Sequence, residues 1–169
     1  SKAILNDCGF GSGGSIADSN EGAVFDWITS SAPLLLDVGA HRGEYTCSFL
    51  KRFPRGRAIC IEPVRAHFQA LQESMTARKN IEMLQVAIAD FEGQGIIHRD
   101  RQISGLASFS RRRLDHFAIN MEISEEVVVT TLDNFVQRHR IPWIDLLKLD
   151  IEGYELSALA GATRMLEEG

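Results

Sequence analysis

Three short stretches of this chain bring together residue types that can do chemistry. The first is Asp37-Val38-Gly39-Ala40-His41-Arg42-Gly43-Glu44-Tyr45-Thr46. It follows Leu34-Leu35-Leu36-Asp37-Val38, a mostly apolar run that reads as a buried parallel strand. It also opens Glu44 to Lys51, which reads as a helix closed by Pro54 and Gly56. In that setting a glycine loop has a physical meaning. Gly39 permits the sharp turn out of the strand, and Gly43 lets backbone approach a ligand or pack on the sheet. The helix start then offers unpaired N–H groups and a partial positive charge. A structural turn is the ordinary alternative, because turns after strands often need glycine.

The second stretch is Ile61-Glu62-Pro63, at the end of a second buried strand, Ala58-Ile59-Cys60-Ile61. Glu62 lies roughly 20 residues past the loop, where an acidic residue accepts hydrogen bonds from ribose hydroxyls in nucleotide-binding sheets. Enzymes that use NAD and enzymes that use S-adenosylmethionine share this device. The loop itself disfavours NAD: Asp37-x-Gly39-Ala40-x-x-Gly43 lacks the G-x-G-x-x-G spacing, and an acidic residue precedes its first glycine. The third stretch, Leu146-Leu147-Lys148-Leu149-Asp150-Ile151-Glu152-Gly153-Tyr154-Glu155, puts Lys148, Asp150 and Glu152 at or beyond the carboxyl end of a strand. Doubly wound sheets hold their ligands there. A strand lysine beside carboxylates is costly unless paired, so the cluster is either an ion-pair network or a site.

The elements that must position these residues alternate. A short helix is expected from Asp18, as N-cap with Glu21, through Ile28. Val64, Phe68, Leu71 and Met75 recur at helical spacing between Val64 and Arg78. Met83 to Ile88 reads as the third strand, Leu132 to His139 as a helix, Ile144 to Leu149 as the next parallel strand, and Glu155 to Leu166 as a closing helix. Between the third strand and Leu132 the pattern changes. A turn at Asp90-Phe91-Glu92-Gly93 leads to Ile96-Ile97-His98, Leu106 to Phe109 is a short extended candidate, and Glu125 to Thr131 is strongly β-prone. The expected fold is therefore α/β, a Rossmann-like, doubly wound, mostly parallel sheet with a β-rich insertion after its third strand. A flexible glycine- and serine-rich segment, 1–17, precedes a single domain over 18–169.

In this order the motifs resemble the FkbM family of methyltransferases. The pieces that carry the resemblance are the loop Asp37 to Thr46; Ile61-Glu62-Pro63; Val86-Ala87-Ile88-Ala89-Asp90 with Gly93; Thr131-Leu132-Asp133-Asn134-Phe135; and Leu147 to Glu155 followed by Leu159-x-Gly161-Ala162. One departure is His41, where the family more often carries asparagine; either side chain can hydrogen-bond the methionine end of the cofactor. The resemblance implies a class I methyltransferase that binds S-adenosylmethionine through Asp37, Gly39, Ala40, His41, Gly43, Tyr45, Thr46, Glu62 and Ala87. It implies O-methylation of a hydroxyl on a small molecule or sugar by in-line displacement at the sulfonium methyl, with near-attack geometry and proton removal as the protein's tasks. Asp150 is then expected nearest the reacting centre, Glu152 as orienting group or base, and Lys148 as their charge partner. His98 and His116 in the insertion are alternative bases whose ordinary reading is structural. No ligand spacing demands a metal.

A sheet of this class continues past the last strand read here, so the sequence expects a truncated C-terminal edge. The strand Ile144 to Leu149 should then be left exposed, be covered by the insertion, or pair with a second molecule as a homo-oligomer. Two rivals stand beside the methyltransferase reading: an NAD-dependent oxidoreductase, and a non-catalytic domain that keeps the fold. A net charge of −5 gives no reason to expect a nucleic-acid or anionic-membrane surface, and Arg111-Arg112-Arg113 is too short a basic run to change that. Three scattered cysteines without a CxxC pair argue against a disulfide framework or zinc site. No apolar run approaches the ~18 residues of a membrane span, and no basic-then-apolar signal opens the sequence. The expected location is the cytoplasm.

Overall fold

The computed structural model describes residues 21–99, 107–108 and 123–168. The expected flexible segment 1–17, the Asp18 cap, Arg111 to Arg113, His116 and most of the insertion lie outside the described residues.

Four parallel strands make the main sheet: β1 (Leu34–Val38), β2 (Arg57–Ile61), β3 (Ile81–Leu84) and β8 (Leu146–Leu149), ordered β3-β2-β1-β8. Side chains alternate across it. Leu35, Ala58, Cys60 and Leu146 face one core with Phe25, Phe49, Leu71 and Met75. Leu36, Val38, Ile59, Ile61 and Leu147 face the other with Ile88, Leu132, Phe135 and Ala158. Cores on both faces explain why these strands read as nearly continuous apolar runs. The first face carries a 3-10 helix at Glu21–Trp27, where a longer helix reaching Ile28 was expected, together with α1 (Glu44–Arg52) and α2 (Arg65–Met75). The second face takes α3 (Leu132–Arg138), α4 (Glu155–Ala160) and α5 (Thr163–Glu168).

The predicted third strand, Met83 to Ile88, is two strands. β3 ends at Leu84, whose carbonyl accepts from Glu62 N at 3.1 Å, and the chain then leaves the sheet. β4 (Ala87–Ile88) joins a second sheet, ordered β4-β7-β5-β6, with β5 (Gly93–Arg99), β6 (Ala107–Ser108) and β7 (Ile123–Thr130). Ala87 and Ile88 are buried against Val129 and Thr130 there, which an apolar run cannot reveal by itself. The described part of the insertion builds its own, mostly antiparallel sheet, and none of its described strands pairs with β8.

The closing helix is also divided. Gly161 sits against β4 so closely that a Cβ would lie 2.4 Å from the Ala89 carbonyl oxygen. After it, α5 starts afresh, with Asp133 accepting from Arg164 N at 3.0 Å and Met165 N at 2.8 Å. Asp133 thus satisfies backbone donors at the start of α5 that have no partner within the helix.

Two polar residues interrupt the expected run Ile144 to Leu149, which forms β8 only from Leu146, and both have structural reasons. Asp145 accepts from Leu34 N at 2.7 Å and its own N–H reaches Leu34 O at 3.0 Å, which sets the register of β8 on β1. Lys148 stands opposite Asp37 in that register. Among the described residues β8 has a strand neighbour on one side only, β1.

Candidate cofactor site

The carboxyl ends of β1, β2 and β8 bring the three motif stretches together. Gly39, at φ +79°, turns the chain out of β1 while its N–H and that of Ala40 donate to Ile61 O at 2.9 and 3.0 Å. A Cβ on Gly39 would lie 2.0 Å from the Asp150 carbonyl oxygen, so the loop after β1 and the loop after β8 touch at backbone. Gly43, also at φ +79°, would drive a Cβ to 2.2 Å from Met75 Cε. It lets the start of α1 settle against α2, so its space is taken by packing.

Asp37, Thr46 and Lys148 form the underside of the loop. Asp37 and Thr46 are fully buried, and the Thr46 hydroxyl donates to Asp37 Oδ2 at 2.8 Å. Lys148 Nζ lies 3.4 Å from Asp37 Oδ1 and 3.2 Å from Asp150 Oδ2. It also stands 5.5 Å from the centre of the Tyr45 ring, within cation–π range. The sequence foresaw Lys148 as a charge partner of Asp150 but missed Asp37, since strand register is invisible to it. Burial pushes the Asp37 carboxyl up from its usual range, and the Lys148 charge and Thr46 hydrogen bond oppose that. The same burial raises the Cys60 thiol, which lies beside Thr46, to about 12.

Glu62 closes the other side. It is 4% exposed, and its carboxylate is held by two backbone donors, Val64 N on Oε1 at 3.0 Å and His41 N on Oε2 at 2.9 Å. His67, from the first turn of α2, brings Nδ1 to 3.5 Å from Oε1. The His41 and His67 rings meet edge to face with centroids 4.3 Å apart, and both Nε2 atoms are buried without a hydrogen-bond partner among the described residues. His41 itself holds φ +51°, left-handed backbone that non-glycine residues seldom adopt. Burial and the neighbouring His67 lower the pKa of His41, against the Glu62 charge.

Asp150 continues the ladder, donating its N–H to Val38 O at 3.0 Å, while its side chain is 65% exposed and tethered by Lys148. Glu152 follows at φ +57°, in a turn that Glu155 Oε1 holds by accepting from Ile151 N at 3.1 Å and Gly153 N at 3.0 Å. A left-handed glutamate next to the loop contact is the kind of backbone strain that concentrates at functional sites.

Residues 37–168 match the profile of the methyltransferase FkbM domain. The chain belongs to that family. The 2-O-methyltransferase NoeI of Sinorhizobium fredii (strain NBRC 101917 / NGR234) is 24% identical over 143 residues, covering 79% of this chain and 59% of NoeI. The crystal structure of methyltransferase FkbM from Methylobacillus flagellatus KT shares the fold at a TM-score of 0.56 and 19% identity, covering 90% of this chain and 39% of that one. The chain thus spans about three fifths of the first protein and two fifths of the second. Neither supports the oxidoreductase alternative.

Within the FkbM domain the motif residues divide by role. Asp37, Thr46, Ala40 and Tyr45 are buried and position the loop from below. Ala87 packs with Val64, Ala89, Ile97, Val127 and Val129 in a third core. Thr131 caps α3, its hydroxyl accepting from Asn134 N at 3.2 Å, so Thr131-Leu132-Asp133 joins two helix starts. His41 and Glu62 meet at one point, and Asp150 joins them through Gly39. His98 does not join this group: on β5 of the second sheet its Nδ1 is 3.0 Å from Ser124 Oγ. His67 was missed in the sequence, although its spacing from Val64 and Leu71 puts it on the buried face of α2.

Proposed function

We propose that this FkbM domain binds S-adenosylmethionine over the loop Gly39 to Gly43 and belongs to an O-methyltransferase acting on a hydroxyl of a small molecule or sugar. The cofactor reading rests on Glu62. It ends β2 beside a left-handed glycine turn, it is ionisable and buried, and Oε2, which takes one backbone N–H, keeps a second lone pair. The residues present fit such a ligand, since a buried carboxylate at the end of β2 stands beside the loop that opens α1, and packing of Gly39 on the Asp150 carbonyl holds that loop in place. The acceptor class rests on the name of NoeI, a 2-O-methyltransferase.

When bound, the cofactor supplies an electrophilic methyl group on a sulfonium. Glu62 would accept from the ribose hydroxyls, and the first-turn N–H groups of α1, which have no carbonyl one turn back, would face the carboxylate end. Asp150, held by Lys148, would orient the acceptor hydroxyl, with Glu152 as a second orienting group or the base that takes its proton. The reading carries two lesser proposals. A cytoplasmic location is supported by Cys47 and Cys60 being free thiols, while no described helix is long and apolar enough to cross a membrane. Self-association is supported by the outer edge of β8, which has no strand neighbour among the described residues.

Calorimetric titration of S-adenosylmethionine into the wild type and Glu62→Ala tests the central claim. The substitution should weaken binding by roughly 1.5–3 kcal/mol, the scale of hydrogen bonds to a charged group. Equal affinities would remove the ribose role. Binding without methyl transfer to any hydroxyl acceptor, measured on the full-length protein, would favour the non-catalytic alternative.

A further inference from the structure

The buried group at Glu62 contains two imidazoles, and only one of them was foreseen. His67 is 5% exposed and approaches Glu62 Oε1 through Nδ1, while His41 holds Oε2 through its backbone N–H. The two rings touch edge to face, and each has a buried Nε2 with no hydrogen-bond partner among the described residues.

We propose that His67 is a positioning residue of the cofactor site, and that Glu62, His41 and His67 act as one proton-linked unit that holds the loop in its ligand-binding form only while both rings are neutral. The proposal rests on the reading that Glu62 accepts from the cofactor ribose.

The argument is one of donors and acceptors. With Nδ1 of His67 directed at the carboxylate, the neutral ring carries its proton there and leaves Nε2 bare. A second proton would create a buried N–H at Nε2 with nothing to receive it, a costly arrangement. The same holds for Nε2 of His41. Protonating either ring therefore favours a shift of that ring, and the His41 ring is carried by the same residue whose N–H holds Glu62 Oε2. A cationic His67 would hold Oε1 more strongly than the neutral Nδ1–H does and leave less of it to ribose hydroxyls.

The other charges around the unit do not substitute for it. Arg42 and Glu44 flank His41 along the chain and act on it in opposite senses, both more weakly than burial, His67 and Glu62. On the α2 side, Arg65 follows Val64, and its N–H donates to Glu125 of β7 at 3.0 Å. The depressed pKa of His41 agrees with a ring that resists taking up charge.

The test is the affinity of S-adenosylmethionine for the chain as a function of pH, from 8 down to 5, in the wild type, His67→Asn and His41→Asn. Asparagine keeps an N–H near the place of Nδ1 and does not titrate. Wild-type affinity should be flat above the ordinary histidine pKa of about 6.5 and fall below it, by at most about tenfold per pH unit for each linked proton. His67→Asn should bind within a fewfold of wild type at pH 8 and lose less affinity on acidification. His41→Asn should flatten the profile in the same direction. A wild-type profile with no acid loss, or one that both variants retain in full, overturns the proposal while leaving cofactor binding intact. Absence of binding at every pH fails the functional reading instead. The histidine unit is then judged by NMR titration of the His41 and His67 ring protons. Mutually dependent titrations of the two rings support it, and independent ones overturn it.

Discussion

Asp37 and Lys148 are cross-strand partners, in register on adjacent parallel strands with Oδ1 and Nζ 3.4 Å apart. Asp37 is wholly buried, and burial raises its pKa against the pull of Lys148. A carboxyl raised in this way favours the fold while protonated. Its contribution is complete below the ordinary aspartate value of 3.8 and is lost as pH rises through the folded pKa. Lys148 is what limits that loss at neutral pH.

Removing one partner alone should therefore be worse than removing both. Lys148→Met strands the Asp37 carboxylate, and unfolding in urea at pH 7 should show a loss of about 3 kcal/mol, the low end for a broken buried pair because the Lys148 side chain keeps 16% exposure. The double variant Asp37→Asn, Lys148→Met should recover at least half of it. Strict additivity of the two single effects would show that the pair is not coupled.

Glu92 should dominate acid sensitivity from the second sheet. It accepts from Thr130 Oγ1 at 2.7 Å, Thr131 N at 2.8 Å and Arg138 at 2.8 Å, and these bonds lower its pKa from 4.5 to about 2. A depressed carboxylate contributes stability that is present above 4.5 and is lost as pH falls towards about 2. Its side chain is about a third exposed, so solvent screening makes the effect modest. In urea unfolding between pH 5 and 2.5, Glu92→Gln should show a shallower acid slope than wild type. Parallel slopes would assign the acid loss elsewhere.

Gly39 is constrained twice, by φ +79° and by an Asp150 carbonyl oxygen 2.0 Å from where a Cβ would sit. Gly39→Ala should cost about 3 kcal/mol or more, the sum of backbone strain and overpacking. Gly93 is the control: its φ is +134° but nothing lies within 4 Å of an added Cβ, so Gly93→Ala should cost only the backbone part. Thermal unfolding of the two variants side by side checks this, and equal losses would mean that the close approach to Asp150 is relieved cheaply.

Much of this was legible because local rules and the global fold agree. The apolar runs of β1, β2 and β8, the glycine turn and the apolar face of α2 each announce themselves by pattern. What stayed hidden depends on register and packing. Nothing local pairs Lys148 with Asp37, divides Met83 to Ile88 between two sheets, or ends α4 at Gly161, where the obstacle is a carbonyl oxygen of Ala89. His67 was hidden for another reason. A histidine on the apolar face of a helix reads as core, and only its approach to Glu62 and His41 sets it apart.

Asp150 offers the sharpest separation of binding from chemistry. Its backbone belongs to the fold, since the N–H continues the β1–β8 ladder and the carbonyl packs on Gly39. Its carboxylate does not: it is 65% exposed, and among the described residues it is held at one oxygen, 3.2 Å from Lys148 Nζ. Asp150→Asn keeps the backbone contacts and the size of the side chain, so the fold and the loop should survive unchanged. If the carboxylate orients or deprotonates the acceptor, methyl transfer by the full-length protein should fall by about 10²–10⁴-fold, the range for general acid–base groups. Cofactor affinity, which the proposed site draws from Glu62 and the α1 start, should change by less than about threefold, well inside 1.4 kcal/mol. Paired calorimetry and single-turnover assays read the two quantities separately. An equal loss of cofactor affinity with turnover preserved would move Asp150 from the acceptor side of the site to the cofactor side.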